Sequence, residues 1–192
     1  HGAKTETLVT APTAENLKGS SFYIIVSPDN PAKNPDPHYM NAQDAARIAA
    51  WVERGGVLIL MENDRDNADI PQLDLLADKF GLHFNNVLTH HVIGDRHEMG
   101  KIMLTQPMGI FHRPHTLFMK DTCSLTLSRG AQSLLQWEGD TLMAMACYGK
   151  GTVFAVTDPW LYNEYTDGRN LGPEYDNFAA GQELVRWLLQ QH

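Results

Sequence analysis

The chain of 192 residues carries 23 acidic side chains against 15 basic ones, a formal charge of −8, and 43% of its residues are hydrophobic. A chain of this size buries roughly 70% of the surface that its unfolded form exposes, so its length predicts one domain over residues 1–192. The negative charge excludes nucleic acid and anionic membranes as expected partners, because both need a positive patch. Apolar runs such as residues 142–148 are far shorter than the roughly 20 residues that cross a bilayer.

The first half of the chain alternates strand-like and helix-like patterns. Residues 22–26 and 57–61 are apolar on both faces, which is typical of strands in a parallel sheet covered on both sides. Between them, Asn41 is a suitable N-cap for a helix that runs through Arg54 and stops at Gly55. These elements predict a right-handed βαβ unit.

The later segments favour antiparallel pairing. Residues 133–137, 141–148 and 152–156 are rich in β-forming side chains and are joined by short links that contain Gly, a pattern typical of hairpins. A final amphipathic helix is expected over residues 175–190. The elements together predict an open α/β sheet, parallel at its centre, with an antiparallel extension.

Ligands of open α/β sheets bind beyond the carboxyl ends of the strands, and three predicted strand ends carry polar and aromatic side chains. Carboxylates and amides hydrogen-bond to hydroxyl groups, and aromatic rings stack on a pyranose face, so this chemistry suits a sugar. The alternative is that the Asp and Asn side chains close turns and that Trp and Tyr fill the edge of the core. The ligand-binding candidates are Asp29, Asn30, Glu62, Asn63, Asp158, Trp160, Tyr162, Asn163, Glu164 and Tyr165.

No catalytic residue is assigned from the sequence. Glycoside hydrolysis needs two carboxyl groups about 5 to 9.5 Å apart, and the sequence does not give that distance for any pair among Asp29, Glu62, Asp158 and Glu164. The nine histidines occur without HExxH or CxxC spacing, so we expect surface positions and no metal site. GxSxG, Walker A and GxGxxG motifs are missing as well, so no cofactor is predicted.

Several stretches of the chain resemble one region of known bacterial enzymes. They are APTAENLKG over residues 11–19, YIIV over 23–26, residues 51–60, GKGTVFAV over 149–156 and DPWLYNEY over 158–165. Together they resemble the C-terminal domain of unsaturated rhamnogalacturonyl hydrolases of glycoside hydrolase family 105, typical of gut Bacteroidetes. The resemblance covers essentially the whole chain, and DPWLYNEY is its most specific part.

The resemblance implies a fold and a setting. The fold would be flavodoxin-like or class I glutamine amidotransferase-like, a three-layer sandwich with a parallel central sheet and an antiparallel hairpin extension. The chain would be the C-terminal part of a larger protein and would lack the first strand-helix unit of related domains. Amidotransferases carry a nucleophilic Cys at a central strand exit, whereas the exit here reads Met61-Glu62-Asn63, so that reaction is not expected.

The leading hypothesis is an accessory domain of a glycoside hydrolase that degrades pectin (rhamnogalacturonan). It would bind a glycan such as a pectic oligosaccharide, or pack on the catalytic domain of the same polypeptide, without chemistry of its own. The resemblance implies a periplasmic or secreted location. One alternative is an independent hydrolase or esterase on pectic oligosaccharides, using Asp158 or Glu164 with a histidine. Another is a purely structural or oligomerisation module.

Overall fold

A computed structural model describes residues 4–28, 30, 32–159 and 161–191. Over these residues the chain forms nine strands and three helices. The strands are β1 (Phe22–Val26), β2 (Val57–Met61), β3 (Leu82–Thr89), β4 (Lys101–Leu104), β5 (His115–Phe118), β6 (Thr122–Leu127), β7 (Gln132–Trp137), β8 (Asp140–Tyr148) and β9 (Gly151–Val156). The helices are α1 (Ala42–Glu53), α2 (Ile70–Ala77) and α3 (Asn177–Leu189), and short 3-10 helices occupy Asp78–Phe80 and His97–Gly100.

The main sheet is mixed and has five strands in the order β1-β2-β9-β8-β7. Strands β1, β2 and β9 run parallel, whereas β8 is antiparallel to both β9 and β7. Four other strands form two small antiparallel sheets, β3 with β6 and β4 with β5. The last of the described strands, β9, therefore lies at the centre of the main sheet.

The predicted flavodoxin-like, class I amidotransferase-like three-layer sandwich is wrong. Only three strands of the main sheet are parallel, and more of the described residues lie in strands than in helices. Successive parallel strands need a crossover connection, usually a helix, and α1 provides one between β1 and β2. Between β2 and β9 the chain passes through α2 and then six further strands, so the repeated strand-helix alternation of a doubly wound sheet is not formed.

The predicted βαβ unit of the first half is confirmed. Asn41 caps α1, because its side-chain oxygen accepts a hydrogen bond from the backbone N–H of Asp44 at 2.9 Å. The helix buries Ile48 and Val52, and Phe22 pairs in parallel with Val57. Capping and apolar spacing are local signals, which is why the sequence alone located this unit.

The core lies on both faces of the main sheet. Leu58 and Leu60 of β2 face α1, α2 and the β3-β6 sheet, whereas Val57 and Ile59 face α3 and the β4-β5 sheet. This alternation follows from the two-residue period of a strand. None of the helices in the described ranges has the length and apolar character needed to traverse a membrane.

Candidate functional site

The carboxyl ends of the parallel strands β1, β2 and β9 lie at one edge of the main sheet. Ser27 follows β1, Glu62 follows β2, and Asp158 lies two residues beyond β9. A long connection then leads from β9 to α3. Because crevices at such an edge are the usual ligand sites of open α/β sheets, we consider the polar groups here first.

Glu62 and Asn63, two of the ligand-binding candidates, lie in the interior with exposed fractions of 0% and 3%. Oε1 of Glu62 accepts a hydrogen bond from the backbone N–H of Asn63 at 2.9 Å, and Oε2 has no hydrogen-bond partner among the described residues. Burial raises the pKa of Glu62 to about 8 despite the bond from Asn63, and the charges of Asp74 and Asp69 act in the same direction. Glu62 is therefore protonated at neutral pH.

Asp158 and Tyr162 attach the connection after β9 to the rest of the domain. Asp158 is fully buried, and its Oδ2 accepts a hydrogen bond from the backbone N–H of Lys120 at 2.8 Å. The hydroxyl of Tyr162 is buried without a hydrogen-bond partner in the described part of the chain. Burial, reinforced by the charges of Asp158 and Glu183, raises the pKa of Tyr162. Both side chains thus face the interior.

A pocket of about 250 Å³ opens beside this connection, and we call it the polar pocket. Three connections that are far apart in the sequence form it: those between β3 and β4, between β5 and β6, and between β9 and α3. Its lining residues are Gly94, Asp95, His97, Lys120, Glu164, Tyr165 and Asn170. Of the ligand-binding candidates, the polar pocket brings together Glu164 and Tyr165.

The buried ring of Phe118 at the end of β5 supports two walls of the polar pocket. The ring of Tyr165 meets it edge-on with centroids 4.6 Å apart, and the ring of His97 does so at 5.2 Å. Asn177, in the first turn of α3, accepts a hydrogen bond from the Phe118 N–H at 2.9 Å and donates one to the Phe118 carbonyl oxygen at 3.0 Å. The walls are therefore anchored to regular elements.

The polar pocket presents hydrogen-bond donors and acceptors together. Burial, together with the charges of Glu164 and Asp158, raises the pKa of Tyr165 to about 12, so its hydroxyl remains protonated at neutral pH. The side-chain amide of Asn170 donates to the carbonyl oxygen of Glu164 at 3.1 Å, which holds the loop in place. A carboxylate, an amide, a phenol and the ammonium group of Lys120 thus surround one recess.

The remaining candidates lie elsewhere. Asn30 stabilises the turn after β1, because its Oδ1 accepts a hydrogen bond from the N–H of Ala32 at 2.9 Å. Asn163 is exposed, and its carbonyl oxygen accepts a hydrogen bond from the Thr166 hydroxyl at 2.8 Å. Asp29 and Trp160 lie outside the described residues.

Four lining residues carry no local signal in the sequence. Asp95 and His97 precede β4, Lys120 precedes β6, and Asn170 follows the DPWLYNEY segment. Only the tertiary fold brings them together, since the intervening segments form two different small sheets. Residues 94–97 combine Gly, Asp and His, but such clusters are typical of ordinary loops and do not indicate a pocket.

An ion network centred on the buried side chains of His115 and Glu183 fastens α3 to β5, and it also includes the more exposed Asp176 and Arg113. The side chain of His115 is fully buried, with Nδ1 at 2.7 Å from Oδ2 of Asp176 and Nε2 at 3.4 Å from Oε2 of Glu183. Glu183 also accepts a hydrogen bond from the backbone N–H of His112 at 2.7 Å, and Nε of Arg113 lies 3.3 Å from its Oε1. This network holds the helix whose first turn supports the polar pocket.

Among the described residues, three side chains have the spacing of metal ligands: Asp74, Asp78 and His83, whose ligand atoms lie within 4.8 Å of one another. Nδ1 of His83 is 2.9 Å from Oδ1 of Asp78 and 3.3 Å from Oδ2 of Asp74. The hydrogen bond between His83 and Asp78 accounts for this arrangement without a metal. The group lies apart from the polar pocket, whose lining does not include it.

No protein-family model matches this chain, and no curated protein matches it. Several solved structures do match it in fold. The mmIFT52 N-terminal domain superposes with a TM-score of 0.69 at 15% identity, covering 92% of this chain and 80% of that one. The cytoplasmic protein STM1381 from Salmonella typhimurium LT2 superposes with a TM-score of 0.58 at 17% identity, covering 90% of this chain and 74% of that one. A β-galactosidase from Bacillus circulans sp. alkalophilus superposes with a TM-score of 0.50 at 14% identity, covering 77% of this chain and 20% of that enzyme.

These similarities describe the fold alone. At 14 to 17% identity they give no support for a shared ligand or reaction. They do identify the mixed-sheet architecture as one that other proteins adopt over nearly the full length of this chain, and they replace the amidotransferase-like fold class expected from the sequence.

Proposed function

We propose that the chain is a carbohydrate-binding accessory domain whose polar pocket takes one sugar unit. One observation carries the proposal: the pocket at the exit of β9 combines the carboxylate of Glu164, the amide of Asn170 and the ring of Tyr165. Sugar hydroxyls need donors and acceptors in close alternation, and the faces and edges of aromatic rings exclude water beside them.

The size and charge of the polar pocket support a short, polar ligand. Its 250 Å³ is below the roughly 300–1,000 Å³ of pockets for drug-sized ligands, so one ring would enter and the rest of an oligosaccharide would lie across the loop surface. Lys120 and His97 add hydrogen-bond donors beside the carboxylates of Asp95 and Glu164, so the pocket offers donors and acceptors to sugar hydroxyls. These features fit a pectic oligosaccharide, the ligand expected from the sequence.

The proposed setting is a pectin-degrading glycoside hydrolase, with the catalytic domain in the same polypeptide and a periplasmic or secreted location. The DPWLYNEY segment motivates this setting. The burial of Glu62 and Asp158 supports a binding role, because neither of these two carboxyl groups is exposed to solvent or to an approaching substrate.

A second candidate function is an independent hydrolase, favoured by one specific observation. Asp95 and Glu164 both line the polar pocket, so two carboxyl groups are available to one ligand. Glycoside hydrolysis uses such a pair, one as the acid and the other as the base or nucleophile. A product assay with the same oligosaccharides separates the two functions.

Titration calorimetry with rhamnogalacturonan oligosaccharides tests the binding proposal. We expect binding by the wild type and a loss of about tenfold in affinity in Tyr165→Ala, since that change removes one wall of the pocket; tenfold corresponds to about 1.4 kcal/mol. Tyr165→Phe keeps the ring and loses only the hydroxyl, so we expect a smaller loss. Product analysis of the same mixtures should detect no cleavage.

Asp167→Asn is the matched control, because Asp167 lies exposed in the same loop and outside the pocket lining. Its affinity should equal that of the wild type. The absence of binding at millimolar oligosaccharide, or equal affinities of wild type and Tyr165→Ala with both proteins folded, would refute the binding function. Cleavage abolished by Glu164→Gln would establish the hydrolase instead.

A further inference from the structure

The outer edge of β1 is open. Strand β1 is the end strand of the main sheet and pairs only with β2 among the described strands. A groove of about 680 Å³ runs along it, lined by β1 itself, by residues 8–12 and by residues 38–40. Open strand edges are templates for pairing with a further strand, and proteins usually cover or charge them.

The backbone of β1 has hydrogen-bonding groups available along this groove. The carbonyl oxygen of Ser21 accepts from the N–H of Val57, and the N–H of Ser27 donates to the carbonyl oxygen of Met61. In a parallel ladder alternate residues face the neighbouring strand, so the odd-numbered residues of β1 face β2. The N–H and C=O groups of Ile24 and Val26 therefore point toward the groove.

The side chains of this edge are apolar and exposed. Ile24 and Val26 are each 52% exposed, although they belong to a strand of a core sheet. Val9, on the opposite wall of the groove, is 84% exposed. Apolar side chains at an open edge are unusual on a monomer, because they invite association.

Charge favours a second copy of this chain as the occupant. The chain carries a net charge of −8, so two copies repel one another over most of their surfaces. The groove is different, because Asp44 is the only acidic residue among the described residues that line it, and Asp44 pairs with Arg47 at 3.0 Å. Two copies can therefore approach here without opposing unpaired charges.

The sequence of β1 is also self-complementary. If two β1 strands pair antiparallel about Ile24, Phe22 lies opposite Val26, Tyr23 lies opposite Ile25, and Ile24 meets its own counterpart. Each pair joins aromatic or β-branched side chains on one face, the type of cross-strand pair that stabilises sheets. We propose that β1 pairs with β1 of a second copy about a two-fold axis, joining two main sheets into one of ten strands.

Sedimentation equilibrium from about 1 to about 200 µM tests this dimer. We expect the mass to rise toward twice the 21.5 kDa of one chain. Ile24→Lys should weaken association by at least about tenfold, because two lysines would then lie directly opposite each other. Met103→Lys is the matched control: Met103 is 54% exposed on β4, outside the groove, and this variant should associate like the wild type.

A charge-exchange experiment tests the register itself. Ile24→Lys and Ile24→Glu should each be monomeric, and an equimolar mixture should form heterodimers, because only the register centred on Ile24 places the two substituted residues opposite each other. Circular dichroism confirms that each variant is folded. A wild type that stays monomeric up to about 200 µM overturns the proposal and leaves the edge to a strand from elsewhere. A wild-type dimer with unchanged affinity in Ile24→Lys overturns it as well.

Discussion

Replacing His115 with Ala is expected to lower the free energy of unfolding by about 3–5 kcal/mol. His115 lies fully buried between Asp176 and Glu183. Its removal takes one partner from the carboxylate of Glu183, whose side chain is only 9% exposed. The loss of a partner is costly for a carboxylate in such a place even though the His112 N–H and Arg113 remain, because water cannot readily replace the lost partner. We expect the main loss in the packing of α3 against β5.

Urea unfolding followed by tryptophan fluorescence measures this effect, with Trp187 of α3 packed against Phe154 as one of the probes. His91→Ala is the matched control, because Nδ1 of His91 also lies 2.7 Å from a carboxylate, that of Asp121, while its side chain is 56% exposed. An exposed ion pair contributes at most about 1 kcal/mol. Similar losses in the two variants would show that burial of the network does not determine its contribution.

The same network sets the response to acid. Burial alone would raise the pKa of Glu183, but the hydrogen bonds from His112, His115 and Arg113 outweigh it and hold the pKa below the ordinary 4.5. A lowered native pKa contributes stability that is present above pH 4.5 and is lost as the pH falls through the native value. The destabilised His115→Ala protein should therefore lose less stability on further acidification than the wild type.

Glu62→Gln is expected to make the protein more stable at pH 8 and to flatten its pH dependence. The native pKa of Glu62 is raised from 4.5 to about 8, so the folded state holds a proton that the unfolded state releases between these values. Stability therefore falls as the pH rises through this window, with a limiting slope of about 1.4 kcal/mol per pH unit for one proton. Gln stays neutral and keeps the acceptor for the Asn63 N–H.

Urea unfolding at closely spaced pH values between about 5 and about 9 tests this linkage. The difference between Glu62→Gln and wild type should grow steadily with pH and level off above about pH 8. Glu6→Gln, an exposed carboxylate of the N-terminal segment, should follow the wild type throughout. Parallel curves for Glu62→Gln and wild type would mean that Glu62 is ionised in the native protein.

The parts of this fold that the sequence predicted are those with local signals. The Asn41 cap, the apolar stripe of α1 and the short Gly-bearing links of the β7-β8-β9 hairpins depend on neighbouring residues alone. The fold class failed because the two small sheets between β2 and β7 carry short, irregular strands whose partners lie far away, as β3 and β6 do. No period in the sequence reports such pairings.

The residues of the polar pocket divide in the same way into those with a local signal in the sequence and those without one. Glu164 and Tyr165 were found because a polar, aromatic segment follows a clear strand, whereas Lys120 and Asn170 become pocket residues only through tertiary packing. The sequence also did not predict which of the candidate side chains are buried. The pattern placed Glu62 at a strand end but did not show that α2 and the β3-β6 sheet close over that end. Cys123 of β6 lies close enough to Glu62 for the charge of Glu62 to raise the pKa of the Cys123 thiol.

The position of β9 has a consequence for how the chain reaches this fold. Strand β9 follows the eight other described strands in the sequence, yet it separates β2 from β8 at the centre of the main sheet. Until β9 is available, β2 has no neighbour on its inner side, and the core lacks Val153 on one face of the main sheet and Phe154 on the other. Such long-range closure gives slow folding, and a chain emerging from the ribosome would expose the inner edge of β2 until residues 151–156 have also emerged.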